Sequence, residues 1–297
     1  MTTKGEVVTF KLVGGMGNQL FIWATSFAFT RKTNKSVLLD ASECTMWGEQ
    51  LKGFNIAVDV PGPQKPDGIL PTRFISNTNS IINLLRAIRT QCRKLKLGGT
   101  IWENHYLGYD PEIFKVEPGK TVRGYFQSHR YFQEYATEIR ETLTSSPQLS
   151  DKYFEVKQQL PKEYTAIHLR IGSDYKDSGS YFKLVDRPYI RDSLKIIDMK
   201  FPNRSKVVVT DNLDLARMLV PNADFYLGND ELSNPVDLLV LMSKSSSFIG
   251  SNSSLSWWSA FLMQDSHLIR IFPKPWFQDP KLDSSFILPD EWLRVSN

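Results

Sequence analysis

The residues best suited to ligand chemistry in this chain follow directly after predicted strands. In AIHLRIGSDY, His168 and Arg170 stand two positions apart at the end of a strand predicted over Thr165–Arg170. Because alternate strand residues share a face, both lie at the carboxyl edge, where doubly wound sheets bind ligands. A guanidinium binds two phosphate oxygens at once, and Asp174 is placed to orient it or to bind a hydroxyl group. We predict a phosphate site at Arg170; the alternatives are a surface ion pair for Arg170 and a hydrogen-bonded core histidine for His168.

A second polar residue, Asp211, follows a strand predicted over Lys206–Thr210. A carboxylate at such a strand end can accept hydrogen bonds from the N1–H and N2–H groups of guanine. The competing interpretation is that Asp211 caps the helix predicted over Leu213–Leu219.

The segment FIGSNSSLSWW is the most unusual in the chain. A strand predicted over Ser247–Gly250 enters a hydroxyl-rich turn, and a helix is predicted over Ser254–Met263. Ser253, Ser254 and the free backbone N–H groups of the helix start would cradle a pyrophosphate opposite Arg170. Serine is also a common helix cap, which explains one of these residues but not the whole cluster.

A glycine turn near the start, GGMGNQ, joins a strand predicted over Val7–Val13 to a helix predicted over Asn18–Thr30. Such turns favour a bound anion. The dinucleotide fingerprint is incomplete because Leu20 stands where its third glycine belongs, although Asp40 stands where a ribose ligand would. A tight strand-to-helix connection is the alternative to an anion site.

Metal-binding motifs are missing. The sequence has no D-x-D, no H-E-x-x-H and no cluster of His, Cys or carboxylate residues at metal-ligand spacing. It also has no G-x-S-x-G motif. The sequence therefore predicts a metal-independent group transfer in which arginine, hydroxyl groups and helix N-termini neutralise phosphate.

The elements that position these residues alternate between strand and helix. We predict an α/β fold with an N-terminal domain over 1–155, a second α/β domain over 156–275 and a tail over 276–297 that packs back on the first domain. The boundary is placed at the linker-like residues of 150–161.

Composition agrees with a globular protein. The 297 residues are 41% hydrophobic, and the formal charge of +4 is too small to favour nucleic acid as a partner. The distant Cys44 and Cys92 indicate neither a disulfide framework nor a zinc site. No signal-like segment or apolar run of about 18 residues is visible, which predicts a cytoplasmic protein. The basic helix predicted over 81–97 is either a solvated surface or a peripheral contact with the inner face of an anionic membrane or a lipid-linked acceptor.

The chain resembles the family-11 glycosyltransferases, the inverting α-1,2-fucosyltransferases that use GDP-fucose. The resemblance rests on motifs in the expected order: GGMGNQLFIWA (14–24), GYFQSHRYF (124–132), HLRIGSDY (168–175), VVVTDN (207–212) and FIGSNSSLSWWSAFL (248–262). The arginine motif departs from the family pattern H-x-R-R-G-D-Y, because Ile171 replaces the second basic residue and Ser173 is inserted, which shifts Asp174 by one position.

This resemblance implies a GT-B-like fold, in which two Rossmann-type domains face a cleft. The C-terminal domain would bind GDP-fucose and the N-terminal domain would shape the acceptor site. Arg170 would bind the diphosphate, His168 would line the nucleotide site and Asp211 would read guanine. Asn252, Ser253 and Ser254 would hold phosphate or ribose, and Gly15, Gly17, Asn18 and Gln19 would approach the donor from the other side of the cleft.

The implied reaction moves L-fucose from GDP-β-L-fucose to the 2-hydroxyl of a galactose in a glycan or lipid-linked oligosaccharide, as in bacterial O-antigen synthesis. Arg170, Asp174 and His129 are the expected catalytic residues. The general base is open among Asp174, His129, Asp40 and Glu103. The alternatives are a transferase for another GDP-sugar, a Rossmann-type dinucleotide-binding oxidoreductase and an inactive lectin-like module.

Overall fold

The chain folds into two compact α/β units. The computed structural model describes residues 6–44, 46–62, 99–103, 108–172, 183–264, 268–279 and 284–297. Unit 1 comprises Met1–Ile139 with Ser285–Ile287, and unit 2 comprises Arg140–Ser284 with Leu288–Asn297. Each unit contains its own parallel sheet. The expected architecture of two Rossmann-type α/β units is confirmed.

Unit 1 is built on a four-stranded parallel sheet with the strand order β2-β1-β4-β3. Its elements are β1 (Val8–Lys11), α1 (Met16–Thr33), β2 (Val37–Asp40), β3 (Thr100–Trp102) and β4 (Thr121–Arg123), with 3-10 helices at Leu51–Phe54, Pro111–Lys115, His129–Tyr131 and Gln133–Tyr135. Helix α1 is apolar on nearly all sides and is buried over most of its length, as expected of a helix inside a core. Phe29 of α1 packs edge-on against Phe10 of β1, with 5.6 Å between the ring centroids.

Unit 2 is built on a six-stranded parallel sheet with the strand order β10-β9-β8-β5-β6-β7. The helices are α2 (Ala136–Ser145), which spans the division between the units, α3 (Asp151–Gln159), α4 (Arg187–Lys200), α5 (Leu213–Leu219), α6 (Pro235–Ser243) and α7 (Ser254–Leu262). The strands are β5 (Tyr164–Leu169), β6 (Ser205–Thr210), β7 (Phe225–Leu227), β8 (Ser247–Ile249), β9 (Ile269–Lys274) and β10 (Leu293–Ser296). The first strand of this unit, β5, therefore lies between β6 and β8, and the winding of the sheet reverses between β5 and β8.

The register of the central strands decides which residues meet. Leu169 of β5 pairs with Thr210 of β6, and Ile167 pairs with Ile249 of β8. All three strands run in the same direction, so their carboxyl ends meet at one edge of the sheet. In open α/β sheets, ligands bind at this edge, where the strand order reverses.

The segment 150–161, expected to be linker-like, is instead mostly helical. Ser150 caps α3 by accepting a hydrogen bond from Tyr153 N, and it donates its own hydroxyl to the buried carboxylate of Asp237 on α6. The division between the units falls earlier, between Ile139 and Arg140. Arg140 contacts Phe261 of unit 2. Its Nε donates to Phe261 O over 2.8 Å, and its guanidinium lies 4.3 Å from the centroid of the Phe261 ring.

The expected tail of 276–297 is divided between the units. Ser285–Ile287 groups with unit 1, whereas β10 pairs with β9 at the edge of the second sheet. The predicted basic helix at 81–97 and Cys92 lie outside the described residues. Within the described part of the chain, no helix combines the length and the apolar character needed to cross a membrane.

Candidate active site

Arg170 and Asp211 follow the neighbouring strands β5 and β6 and are bonded to each other. Arg170 Nη1 donates to Asp211 Oδ2 over 2.7 Å, and the backbone N–H of Ile171 donates to Asp211 Oδ1 over 2.8 Å. The two side chains are 26% and 11% exposed. Arg170 thus has the ion pair that we considered as an alternative, but the pair lies at the carboxyl edge of the sheet, where a ligand would bind.

Asp211 is not the cap of α5. Asn212 takes that position, because its Oδ1 accepts the backbone N–H of Leu215 over 3.1 Å. The capping alternative for Asp211 is therefore wrong. The carboxylate instead links the ends of β5 and β6, and each of its oxygens already accepts one hydrogen bond in this structure.

His168 is a buried, neutral histidine. Burial, with a smaller contribution from the positive charge of Arg170, lowers the pKa of His168 to about 3. Its Nδ1 lies 2.5 Å from Ser256 Oγ, and that oxygen also accepts the backbone N–H of Ser251. Ser256 Oγ also lies 3.3 Å from Ser251 Oγ. The contact of His168 with Ser256 ties β5 to the first turn of α7 and matches the core-histidine alternative.

The side chains of the hydroxyl-rich turn before α7 have different hydrogen-bond partners. Ser253 is the helix cap and accepts the backbone N–H of Leu255 over 3.3 Å. Ser251 Oγ accepts the backbone N–H of Arg170 over 3.3 Å, which ties the turn to β5. Asn252 Nδ2 donates to Trp276 O over 2.5 Å, in the segment after β9. Ser254, the half-buried first residue of α7, stands at the positive end of the helix dipole.

The glycine turn of unit 1 has the geometry expected of a tight connection. Gly14 has φ +76°, and a Cβ atom there would lie 2.6 Å from Asn18 Nδ2. Gly15 is the N-cap of α1, in extended conformation and without a side-chain cap. Gly17 lies buried in the first turn of α1, which holds no acidic residue. The exposed indole of Trp47 packs beside Gly15, 3.9 Å from the position of a Cβ there.

Gln19 holds a loop in place. Its side chain is fully buried, and its Nε2 donates to Gly14 O and to Gly48 O, each over 2.8 Å. Its Oε1 accepts the backbone N–H of Gln50 over 2.9 Å. The amide of Gln19 thus bonds to the backbone of the turn and of the loop that carries Trp47, and it positions that loop.

The motif GYFQSHRYF joins the glycine turn at the carboxyl edge of the first sheet, since β4 lies next to β1. Gln127 Nε2 donates to Asn18 Oδ1 over 2.7 Å. His129 lies half-buried in the 3-10 helix that follows, which is capped by Ser128. The Gln127–Asn18 contact joins residues that are far apart in the chain, and no local pattern predicts it.

Asp40 and Glu103, two of the candidate bases, are held by other residues of unit 1. Asp40 is an ion pair with Lys11, with 2.5 Å between Oδ2 and Nζ. Burial alone would raise the pKa of Asp40, but hydrogen bonds from Lys11 and Ser42 outweigh it and hold the pKa below its usual value. Glu103 is enclosed by the 124–132 segment and accepts hydrogen bonds from Tyr125 N and Phe126 N. Asp174 lies outside the described residues.

Among the residues that the structure describes, His, Cys, Asp and Glu side chains form no group of three or more that would hold an ion.

Comparison with known proteins gives one family and several relatives. Residues 84–296 match the model of glycosyl transferase family 11. An α-1,2-colitosyltransferase of Escherichia coli is 27% identical, over 98% of this chain and 99% of the relative. The O-antigen biosynthesis glycosyltransferase WbnK of Escherichia coli is 25% identical, over 96% and 99% of the two chains. Among solved structures, the fucosyltransferase NodZ from Bradyrhizobium is 12% identical, covers 86% of this chain and 92% of its own, and has a TM-score of 0.45.

Proposed function

The chain belongs to glycosyl transferase family 11, and on that basis we propose that it transfers L-fucose from GDP-β-L-fucose to the 2-hydroxyl group of a galactose, forming an α-1,2 linkage. The observation that supports this proposal most directly is the position of Arg170. It follows β5 beside the turn that precedes α7, where the winding of the second sheet reverses. Family membership also favours a glycosyltransferase over the oxidoreductase alternative.

Unit 2 contains positively charged and hydrogen-bond-donating groups of the kind that stabilise a diphosphate leaving group. Arg170 presents a guanidinium, and the start of α7 presents backbone N–H groups together with Ser254. In the proposed reaction the acceptor oxygen bonds to the anomeric carbon as the bond from that carbon to the diphosphate oxygen breaks. Negative charge then grows on the diphosphate, and Arg170 and the helix start stabilise it. Attack from the opposite face inverts the configuration at the anomeric carbon.

The proton of the acceptor hydroxyl must pass to a base. We propose His129 and Asp174 as the bases, whereas Asp40 is ion-paired with Lys11 and Glu103 accepts two backbone N–H groups. A general base of this kind contributes about a hundredfold or more to the rate.

A second donor is favoured by one relative. The α-1,2-colitosyltransferase shares 27% identity over nearly the full length of both chains, and colitose is fucose without its 3-hydroxyl group. A site that hydrogen-bonds this hydroxyl would reject GDP-colitose by about 10⁴-fold, whereas a site that leaves an apolar space there would accept both donors. GDP-mannose is a third donor to be compared.

The acceptor proposal follows the second relative, whose name refers to O-antigen biosynthesis. We extend that role to this chain, with a galactose-containing glycan or lipid-linked oligosaccharide as acceptor. Peripheral contact through residues 81–97 at the inner face of a membrane remains part of the proposal. Metal-independent transfer rests on the sequence, which carries no D-x-D motif.

The test is mass spectrometry of the products formed from GDP-fucose, GDP-colitose and GDP-mannose with a panel of β-galactosyl disaccharides, each with and without EDTA. We expect a fucosylated product whose fucose is removed by a linkage-specific α-1,2-fucosidase. The yield of this product should be the same with and without EDTA. Transfer from GDP-colitose without transfer from GDP-fucose would contradict GDP-fucose as the donor and identify GDP-colitose instead. Binding of NADH without binding of GDP would contradict transferase activity, and loss of product in EDTA would contradict the metal-free mechanism.

A further inference from the structure

Glu103 lies at the end of β3, and its carboxyl group is the centre of a hydrogen-bond cluster in unit 1. Its Oε2 accepts the backbone N–H groups of Tyr125 and Phe126 over 2.9 and 3.0 Å. Its Oε1 lies 3.2 Å from the hydroxyl of Tyr131. All of these partners belong to residues 124–132, which we call the aromatic loop.

The loop is shaped around this carboxyl group. A Cβ atom on Gly124 would lie 2.5 Å from Glu103 Cβ and 2.6 Å from Oε2, so only glycine allows so close an approach. Phe126 is buried and has φ +52°, a conformation that costs about 1 kcal/mol or more for a residue with a side chain. The hydrogen bond from Phe126 N to Glu103 offsets part of this cost.

The partners of the Tyr131 hydroxyl indicate where a proton lies. Tyr131 Oη accepts the backbone N–H of Asp110 over 2.9 Å and lies 3.1 Å from Gly108 O. The carbonyl of Gly108 can only accept, so the tyrosine proton satisfies it. The remaining contact, between Tyr131 Oη and Glu103 Oε1, then needs its proton from Glu103.

We infer that Glu103 is a positioning residue that works as a neutral carboxylic acid, with Oε2 accepting two backbone N–H groups and Oε1 donating its proton to Tyr131. In this arrangement every donor and acceptor of the cluster has a partner. An ionised Glu103 would instead compete with Gly108 O for the single proton of Tyr131.

The charges around the cluster support the neutral form. Burial and, to a smaller extent, the carboxylate of Asp110 outweigh the hydrogen bonds from Phe126, Tyr125 and Tyr131, and the pKa of Glu103 is raised to about 8. Arg123 is a described cation beside Glu103: its backbone carbonyl accepts Glu103 N, and its guanidinium is bonded to Glu43. Other described titratable groups around the cluster are Tyr125, His129 and Tyr131 of the aromatic loop and Tyr109, whose ring centroid lies 5.1 Å from that of Tyr131.

The loop held by Glu103 carries Gln127, which donates to Asn18 at the start of α1, and His129, one of the proposed bases. Glu103 therefore sets the position of both. Only this last step rests on the proposed function, because the protonation of Glu103 is tested without any assay of transfer.

The test compares the full-length wild type with Glu103→Gln, Glu103→Ala and the exposed control Glu134→Gln by thermal unfolding from pH 5 to pH 9. Glutamine reproduces the neutral acid, since its oxygen accepts the two N–H groups and its amide donates to Tyr131. The folded pKa of about 8 lies above the usual 4.5 of the unfolded chain, so the wild type loses stability as the pH rises between these values.

As the pH rises to about 8, we expect the melting temperature of the wild type to fall relative to that of Glu103→Gln; above about pH 8 the two melting temperatures should change in parallel. Glu134→Gln should follow the wild type, and Glu103→Ala should melt at a lower temperature than the wild type at every pH. The infrared difference spectrum of wild type minus Glu103→Gln at pH 6.5 should also contain the carbonyl band of a protonated carboxylic acid. A pH-independent difference in melting temperature, or the absence of that band, would overturn the inference. A folded Glu103→Gln protein that fails in transfer would contradict the positioning role, because glutamine keeps the hydrogen bonds of the neutral acid.

Discussion

Arg170 Nη1 donates to Asp211 Oδ2 over 2.7 Å, so the guanidinium proposed for the diphosphate is held by the carboxylate proposed for the guanine base. The pair bridges the ends of two neighbouring strands, β5 and β6. A base that binds Asp211 would therefore act on the same carboxylate that orients Arg170. Under the proposed roles, this link would make binding of the diphosphate and binding of guanine interdependent, and comparing GDP with ADP separates the two.

Asp211→Asn removes the negative charge but keeps the shape of the side chain. If Asp211 reads guanine, the affinity for GDP should fall by about tenfold to a hundredfold, as is typical when a hydrogen bond to a charged group is lost, and the affinity for ADP should change less. Calorimetric titration of both nucleotides measures this difference. Asp214→Asn, an exposed carboxylate three residues further on, is the matched control. Equal losses for GDP and ADP would show that Asp211 acts only through Arg170.

Arg170→Ala should reduce donor-dependent GDP release by about a hundredfold or more, corresponding to about 3 kcal/mol of transition-state stabilisation. Arg170→Lys should recover little, because an ammonium cannot bind two phosphate oxygens in the geometry of a guanidinium. Arg204→Ala is the control, since Arg204 precedes β6 and so lies at the opposite edge of the sheet from Arg170, which follows the parallel neighbour β5. Near-normal activity of a folded Arg170→Ala protein would remove Arg170 from the mechanism.

His168→Gln should make unit 2 less sensitive to acid. The pKa of His168 is lowered by burial to about 3, below the usual 6.5, so the unfolded chain binds a proton that the folded state does not. The wild type should therefore lose about 2 kcal/mol between pH 7 and pH 5 that the variant does not lose. Urea unfolding at the two pH values measures the effect. Parallel losses in both proteins would mean that His168 is charged in the folded state.

Gln19→Ala should lower the free energy of unfolding by about 3 kcal/mol, because it leaves two carbonyl oxygens and one N–H group of the turn and the loop without their partner. Gln133→Ala, at an exposed position of the same unit, should change stability by less than about 0.5 kcal/mol. Urea unfolding compares the two. Unchanged stability of Gln19→Ala would indicate that the amide is available to a ligand.

Much of the local structure is readable from the sequence. The glycine turn between β1 and α1, the strand that ends before Asp211 and the serine cap of α7 each follow from neighbouring residues, because turn, strand and cap preferences act over a few positions. The same local character explains the misreading of 150–161, where polar residues indicated a linker and the structure has a helix whose cap, Ser150, bonds to the distant Asp237.

The motifs, and with them the family, are properties of the sequence itself. The tertiary structure decided which polar groups use one another: Asp211 with Arg170, His168 with Ser256, Gln127 with Asn18, and Gln19 with the loop at Gly48. These partners lie between 29 and 109 positions apart and meet only because of strand order and register. Residue types show which bonds a side chain can make, but burial removes water as the competing partner, and only the fold determines what remains within reach.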